Sequence, residues 1–487
     1  MSIQGAMLNA LSSLAAEQRA AALISNNVAN AQTPGYVRRD LPRSENLVAG
    51  TGAGVATGVT QRAGDAVLAA ASRGADGAEA YADRMQALLE TYTSAIGQPA
   101  DERSLSSLMG SLKDALTTLS SAPNNAVAQS QALSAAQDLV AGFHDMDAAV
   151  SNIRTQADLG VAQDVKSVNT ALDSLKEVEQ KLAQASARGA STAEYEDQRE
   201  SILAGLSQTL PLRIYDNGPG KLLVMTDGGT TLFDSGTVHK LVFTHVPEIP
   251  SDVRHGGSTP YTDGLSDVTV DGRVIRISDS GSIAAGLKMR DETMPRFADM
   301  LDQVAGRVAE SFQKGDLSVT GNQAGLFTRD GAATFDATQP SVGMARTIGI
   351  NARVDPDAGG DIWRMRDGMR ATVEGNASDN TGILSWLDAM DKNRGYDTST
   401  GLPGSMSLSQ ATAQAIGLMQ GERATWTDRA TTRSSIALQA RADLTNKTAV
   451  NVDEELTRLM MVQQTYSASV QIIQAASKML EELGTIR

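Results

Sequence analysis

Apolar residues at helical spacing occupy both ends of the chain, and this feature constrains the fold more than any other. They recur every three or four positions from Ile3 to Val28 and again from Val452 to Leu480. The spacing is typical of a coiled-coil seam, in which neither helix can bury its apolar stripe alone. The pattern leaves two interpretations open. The terminal helices either close one common core or pair as a seam for assembly.

The residues of the two stripes are the first candidates for a self-assembly surface. The N-terminal stripe is broken at Glu17 and widened by Leu11, and it comprises Ile3, Met7, Ala10, Leu14, Ala21, Ile24 and Val28. The C-terminal stripe has polar interruptions at Gln463 and Ser477, and it comprises Val452, Leu456, Leu459, Tyr466, Val470, Ile473 and Leu480.

The composition limits the classes of function. The length of 487 residues predicts about three domains, and an apolar fraction of 41% is enough to fill their cores. The net charge of −15 argues against nucleic-acid or anionic-membrane partners, because phosphate contacts need clustered Lys and Arg. The lack of cysteine excludes disulfides and thiolate metal sites. The sequence shows neither a cleavable signal nor an apolar run near the ~20 residues of a membrane span.

Periodicity along the chain predicts a mainly α fold with a β-rich insertion: terminal helices in a coiled coil, an elongated helical bundle and a distal β domain. Within the insertion, Asp271-Gly272 between β-branched residues predicts a hairpin. Asn451 is expected to cap the last helix.

The sequence predicts five regions. The ends form a terminal coiled coil (1–40 with 450–487), followed by an extended linker containing a glycine-rich connector (41–75) and an elongated helical domain (76–210 with 283–314 and 381–449). The remaining regions are the β-rich insertion (211–282) and an irregular segment of short strands or ordered loops associated with the insertion (315–380).

A search for catalytic, cofactor and metal motifs yields no site. The closest candidate is Asp355, Asp357 and Asp361 beside two glycines, which could hold a hard cation such as calcium. A solvated acidic loop is the favoured interpretation. We therefore predict a protein that is not an enzyme and carries no cofactor or metal. The alternative from another class is a soluble enzyme closed by a terminal helical pair.

The segment from Ile24 to Arg39, ISNNVANAQTPGYVRR, resembles the N-terminal signature of bacterial flagellar rod, hook and hook-associated proteins. In physical terms, small polar residues are expected to end the helix near Asn30, a turn directs the chain away from the coiled coil, and an aromatic residue anchors it. The resemblance adds these residues to the expected self-assembly site: Asn26, Asn27, Asn30, Thr33, Pro34, Gly35 and Tyr36.

The C-terminal segment from Val450 to Leu456, VNVDEEL, is similar to the matching end of the same family. The long helical middle, the Glu196–Arg199 segment and the acidic run Asp453–Glu455 favour a hook-associated member that joins hook to filament. A hook or rod component of the same family is the alternative.

The resemblance implies a structural adapter that polymerises at the distal end of the hook. Its implied partners are further copies of itself, the hook protein, a second hook-associated junction protein, and an export chaperone bound at the C-terminal helix. The implied location is the extracellular flagellum, reached through the flagellar type III apparatus without a cleaved signal. Neither nucleic acid nor membrane is an expected partner.

Overall fold

The computed structural model describes residues 3–48, 51–98 and 100–485. The first helix, α1, spans Ile3–Ala29 and ends one residue before the predicted boundary at Asn30. Four short strands follow: β1 (Arg39–Asp40), β2 (Arg43–Val48), β3 (Thr51–Thr57) and β4 (Gln61–Arg62). β1 pairs with β4 and β2 pairs with β3, both antiparallel.

The prediction of an extended linker over 41–75 is therefore wrong for most of its length. Its first part forms these two strand pairs, and its last part belongs to a helix that begins at Ala66. The physical reason is that Gly54, which suggested a flexible connector, lets β3 approach α1 closely. An added Cβ at this position would lie 1.9 Å from Ser12 Oγ. Gly50 lies outside the described residues.

Four helices build the first half of the helical body: α2 (Ala66–Ile96), α3 (Leu105–Ser121), α4 (Ala126–Ala187) and α5 (Ala193–Thr209). Asp65, Ser104 and Asn125 cap the first three of these helices through side-chain oxygens that accept backbone N–H bonds. Helix α4 has 62 residues, which corresponds to about 90 Å at 1.5 Å per residue. It contributes to both large cores of the molecule.

The β-rich insertion lies against α4 and α5. Its strands are β5 (Leu212–Asp216), β6 (Leu222–Thr226), β7 (Thr231–Asp234), β8 (Thr237–Val238), β9 (Leu241–Val242), β10 (Thr269–Val270) and β11 (Arg273–Val274). They form a four-stranded sheet in the order β5-β6-β7-β8 and a three-stranded sheet in the order β11-β10-β9. Asp271 and Gly272 join β10 to β11 with φ angles of 50° and 74°, which confirms the predicted hairpin.

A buried ion pair ties the insertion to the helical body. After helix α6 (Ser282–Lys288) comes one π-helical turn (Met289–Thr293), which leads into α7 (Met294–Gly315). Arg290 in this turn is fully buried, and its guanidinium lies 2.6 Å from the Asp158 carboxylate on α4. It also donates to the Ser266 carbonyl of the insertion at 3.0 Å. The π turn thus places one cation where three segments meet.

Residues 315–380 contain β12 (Phe327–Arg329), α8 (Met344–Thr347), β13 (Ile348–Ile350) and α9 (Arg364–Asp367). The predicted short strands are present, and Arg346 of α8 lies 3.4 Å from the Asp252 carboxylate of the insertion, but the apolar residues of the segment pack on the helical body. Phe327, Met344 and Met365 are fully buried in the larger core with α4 and α7. Apolar residues scattered among Gly and Asp give no periodicity that reveals this packing.

The chain closes with α10 (Thr381–Asp391), β14 (Arg394–Gly395), β15 (Ser405–Met406), α11 (Leu408–Thr448) and α12 (Val452–Thr485). Helix α11 runs along α2, where Arg441 pairs with Asp76 at 2.7 Å. Asn451 caps α12 by accepting N–H bonds from Asp453 and Glu454, as predicted. The predicted fold class, mainly α with a β-rich insertion, is confirmed. Within the described residues, no helix is both long and apolar enough to cross a membrane.

Candidate assembly site at the paired termini

The terminal helices α1 and α12 pack side by side and form a small core of their own. Its buried apolar members are Ala20 and Ile24 of α1 and Val462 of α12. Further along the pair, the Ser469 hydroxyl donates to Ser13 Oγ at 3.1 Å. This core is far smaller than the two cores of the body, so little apolar burial holds the termini together.

On α12, the buried residues do not coincide with the predicted stripe. They lie one position before Leu456, Gln463, Val470 and Ser477 of that stripe. Every seventh residue is buried, namely Glu455, Val462, Ser469 and Ala476. Among the predicted seam residues, those that are half-buried are Leu459, Val470 and Ile473. Those that are exposed are Val452, Leu456, Tyr466 and Leu480. Apolarity alone missed this row because two of its four members are polar.

On α1, the outcome for the predicted stripe is closer to expectation. Ile24 is buried and Leu11 is exposed. The half-buried members are Ile3, Met7, Leu14 and Val28. Glu17, which looked like a break in the stripe, is also buried, and its carboxylate lies 2.8 Å from the Arg43 guanidinium of β2. Glu17, which interrupts the apolar stripe in the sequence, therefore forms an ion pair within the chain.

A buried polar layer joins the end of α1 to the start of α12. Asn27 is only 1% exposed, and its amide donates to Glu455 Oε2 at 3.2 Å and to the Arg39 carbonyl at 2.9 Å. Its Oδ1 accepts from the Tyr36 hydroxyl at 2.8 Å and from the Arg39 N–H at 3.2 Å. Arg458 pairs with Glu455 at 3.0 Å. A buried Asn in a helical seam fixes register, because a shifted register would leave its amide unpaired.

The turn after α1 carries the rest of the signature. The Asn30 amide donates to the Asn26 carbonyl at 2.9 Å, and the Tyr36 N–H donates to the Thr33 carbonyl at 3.2 Å. Gly35 adopts φ +79°, a conformation that favours glycine. Burial raises the pKa of the Tyr36 hydroxyl, so this group remains a hydrogen-bond donor. Thr33, Pro34 and Gly35 are exposed, so they direct the chain and do not fill the seam.

The β2–β3 hairpin packs along a second side of α1. The Val55 N–H donates to Ser12 Oγ at 3.1 Å, and Arg19 donates to Thr57 Oγ1 at 2.7 Å. With the Glu17–Arg43 pair, these contacts hold the hairpin against α1 from Ser12 to Arg19. Helix α1 is thus held between the hairpin and α12.

Asp197 of α5 connects the terminal pair to the helical body. Its carboxylate accepts from Arg62 at 2.6 Å and lies 3.6 Å from the Arg39 guanidinium. Burial raises the pKa of Asp197, and the two arginines oppose that shift. Beside it, the Arg38 N–H donates to the Thr448 carbonyl at the end of α11. The contacts between the termini and the body described here are therefore mostly polar.

Large apolar side chains remain exposed on both terminal helices. On α1 they are Leu8 and Leu11. On α12 they are Val452, Leu456, Met460, Met461, Tyr466, Ile472, Met479, Leu480 and Leu483. Exposed apolar surface of this extent is typical of a contact with another molecule.

Three family models match the chain. The flagellar hook-associated protein FlgK helical domain matches residues 89–326. The flagella basal body rod protein model matches residues 7–36, and the flagellar basal body rod FlgEFG protein C-terminal model matches residues 445–486. The two terminal models therefore fall on the α1 and α12 pair.

Curated relatives match over nearly their whole length. Flagellar hook-associated protein 1 of Escherichia coli (strain K12) is 22% identical and covers 98% of this chain and 99% of the relative. The protein of the same name from Bacillus subtilis (strain 168) is also 22% identical and covers 96% of each chain. Over nearly its whole length, the chain is therefore similar to flagellar hook-associated protein 1.

A solved structure, that of the flagellar hook junction protein FlgK from Burkholderia pseudomallei, is similar over 53% of this chain and 46% of that chain. Its sequence identity is 16% and its TM-score is 0.44.

At the terminal pair, sequence reasoning missed four residues that shape the packing, namely Ser12, Glu17, Arg43 and Glu455. All four are polar, and a search for apolar periodicity passes over such residues. The seven-residue spacing of Glu455, Val462, Ser469 and Ala476 was the signal that could have identified Glu455.

The acidic segment from Asp355 to Asp361, considered above as a cation site, stabilises the local fold, since Asp355 accepts the Asp357 N–H at 3.0 Å. Among the described residues, no group of three or more His, Cys, Asp or Glu is arranged to hold a metal.

Proposed function

We propose that this protein is a structural component of the bacterial flagellum that polymerises at the distal end of the hook and joins it to the filament. The observation that carries the proposal is the pair of terminal helices. They share a small core, yet they expose many large apolar side chains on their outer sides. Neighbouring copies that cover these sides would supply the burial that a single copy lacks, at about 25 cal/mol per Å² of apolar surface.

The proposed self-assembly site consists of the two stripes and the signature turn predicted from the sequence, extended by the buried row of α12. The proposed partners are further copies, the hook protein and a second hook-associated junction protein, with an export chaperone at α12 before assembly. Export would proceed through the flagellar type III apparatus without a cleaved signal. We propose no catalytic role, because the polar networks described above join structural elements.

Electron microscopy of a strain that lacks the gene tests this role. We expect hooks of normal length without filaments, and filaments restored by the wild-type gene. Loss of the hook itself would indicate the alternative role, a hook or rod component.

Two matched variants test whether the terminal seam carries the function. Val462→Asp buries a charge between α1 and α12 and is expected not to restore filaments. Val127→Asp places the same charge on a valine of α4 that is 65% exposed, and it is expected to restore them. Equal restoration by both variants would contradict a role for the seam.

A further inference from the structure

The loop between β5 and β6 contains the one Asn-Gly pair of the sequence, Asn217-Gly218. Asn217 is exposed and directly follows β5. Gly218 adopts φ +103°, and a Cβ added there would meet no atom within 4 Å. Because glycine has no Cβ, its backbone nitrogen can approach the preceding side chain with little steric hindrance. The pair therefore lies in open space at one end of the four-stranded sheet.

Backbone contacts hold the loop, whereas the Asn217 side chain is not held. The Asn217 N–H donates to the Lys221 carbonyl at 3.4 Å, and the Lys221 N–H donates to the Gly218 carbonyl at 2.9 Å. Within the described part of the chain, the Asn217 carboxamide has no hydrogen-bond partner. The side chain can therefore rotate until its amide carbon, Cγ, meets the Gly218 nitrogen, with which it closes a five-membered ring.

Asp216 binds the hydrogen of that nitrogen. Its Oδ1 accepts the Gly218 N–H at 2.9 Å, and its Oδ2 accepts from the Arg199 guanidinium at 2.7 Å. The bond to Arg199 of α5 fixes the carboxylate in this position. A carboxylate that accepts the hydrogen of an attacking group can act as its general base.

We propose that Asn217 is a site of spontaneous deamidation, with Asp216 as the base. The Gly218 nitrogen bonds to Asn217 Cγ, and its proton passes to Asp216. The bond between Cγ and Nδ2 then breaks, and Nδ2 leaves as ammonia after it receives that proton. The remaining cyclic imide is opened by solvent water at either carbonyl, which gives aspartate or isoaspartate. The reaction needs water alone, without an oxidant, a cofactor or a second protein.

The modification changes both the charge and the backbone of the β5–β6 hairpin. Either product adds a negative charge beside Asp216, whose cation Arg199 also pairs with Glu179 at 3.4 Å. Isoaspartate in addition lengthens the main chain by one carbon between the two strands. Both changes act where the Arg199–Asp216 pair joins the hairpin to α5.

Peptide mapping by mass spectrometry tests the site. The purified full-length protein is incubated at neutral pH, and the conversion of amide to carboxyl group is followed at each asparagine. Asn376 is the internal control, because it is also exposed but is followed by alanine. We expect Asn217 to deamidate roughly tenfold faster or more, since glycine removes the steric hindrance. Equal rates at the two asparagines would overturn the proposal.

Asp216→Asn tests the base. The substituted side chain can still accept the Gly218 N–H, but it cannot take up the proton. We expect the rate at Asn217 to fall by roughly tenfold or more. Asp234→Asn, at an exposed acid of β7, is the control and should leave the rate unchanged. An unchanged rate in Asp216→Asn would overturn the assignment of Asp216. Neither measurement depends on the flagellar role.

Discussion

Asn27 shows what a single polar residue contributes to the terminal pair. Asn27→Ala removes four hydrogen bonds and leaves Glu455 with one fewer partner in a buried position. A buried hydrogen-bonding group that loses its partner costs about 1–3 kcal/mol, and Glu455 keeps its ion pair with Arg458. We expect earlier loss of hydrogen-exchange protection in α1 and α12, with the protection of α4 unchanged. Ser25→Ala, at an exposed position on the same helix, is the control, and equal loss in both variants would contradict a special role for Asn27.

Asp302 of α7 provides a pH-dependent contact inside the body. Its carboxylate is 3% exposed and accepts the Gly343 N–H at 2.7 Å and the Ala345 N–H at 2.8 Å. Burial raises the pKa of Asp302 to about 7, a shift that these two bonds oppose. The folded protein therefore keeps a proton that the unfolded chain, with a pKa of about 3.9, has released. This contribution to stability is complete below pH 4 and is lost as pH rises to 7.

Asp302→Asn removes this titration. Between pH 4 and 7, we expect the wild-type free energy of unfolding to fall relative to that of the variant by up to about 1.4 kcal/mol per pH unit. Denaturant titrations across this range measure the difference. Asp388→Asn, a substitution at an exposed acid of α10, is the control and should leave the pH dependence near that of the wild type. Parallel curves for wild type and Asp302→Asn would show that Asp302 is already ionised at pH 4.

At the scale of elements, periodicity predicted the helices well and their orientation less well. The boundary near Asn30, the Asn451 cap and the Asp271-Gly272 hairpin follow from local chemistry, and the structure has them where expected. The buried row of α12 depends on its partner, because Glu455 is buried only where Asn27 and Arg458 can bind it. Burial that depends on polar partners distant in the sequence does not produce a pattern of apolar residues. The packing of residues 315–380 escaped prediction for the same reason.

The β2–β3 hairpin is the element that sequence reasoning mistook for a linker, and Gly54 is the position that determines its packing. Gly54→Ala combines a φ of +100° with a Cβ 1.9 Å from Ser12 Oγ. We expect the hairpin to leave α1, which would expose the Val55 N–H to hydrogen exchange. Gly52→Ala, where an added Cβ would meet only Glu45 Oε1 at 3.5 Å, is the control and is expected to leave the protection of Val55 near that of the wild type. Similar protection of Val55 in wild type and Gly54→Ala would contradict this account.

At the scale of the whole molecule, the two large cores lie entirely between Tyr81 and Ala430. The termini contribute a separate small core and reach the body mainly through polar contacts around Asp197. The sequence predicted this division from the two stripes at the ends and the long helical middle. It did not predict that the strands between α1 and α2 would pack with the termini, because their contacts involve a glycine and polar side chains.

This division predicts that the body folds without the termini. A chain shortened to residues 64–448 keeps every residue of both large cores and loses the terminal pair with its hairpin. We expect its main thermal transition within about 3 °C of that of the full chain, a shift that corresponds to roughly 1 kcal/mol in a large domain.

We also expect limited proteolysis of the full chain to remove residues 1–40 and 450–487 first, since few apolar contacts protect them. Loss of cooperative melting in the shortened chain, or ends as resistant as the body, would show that the termini are an integral part of the folded core.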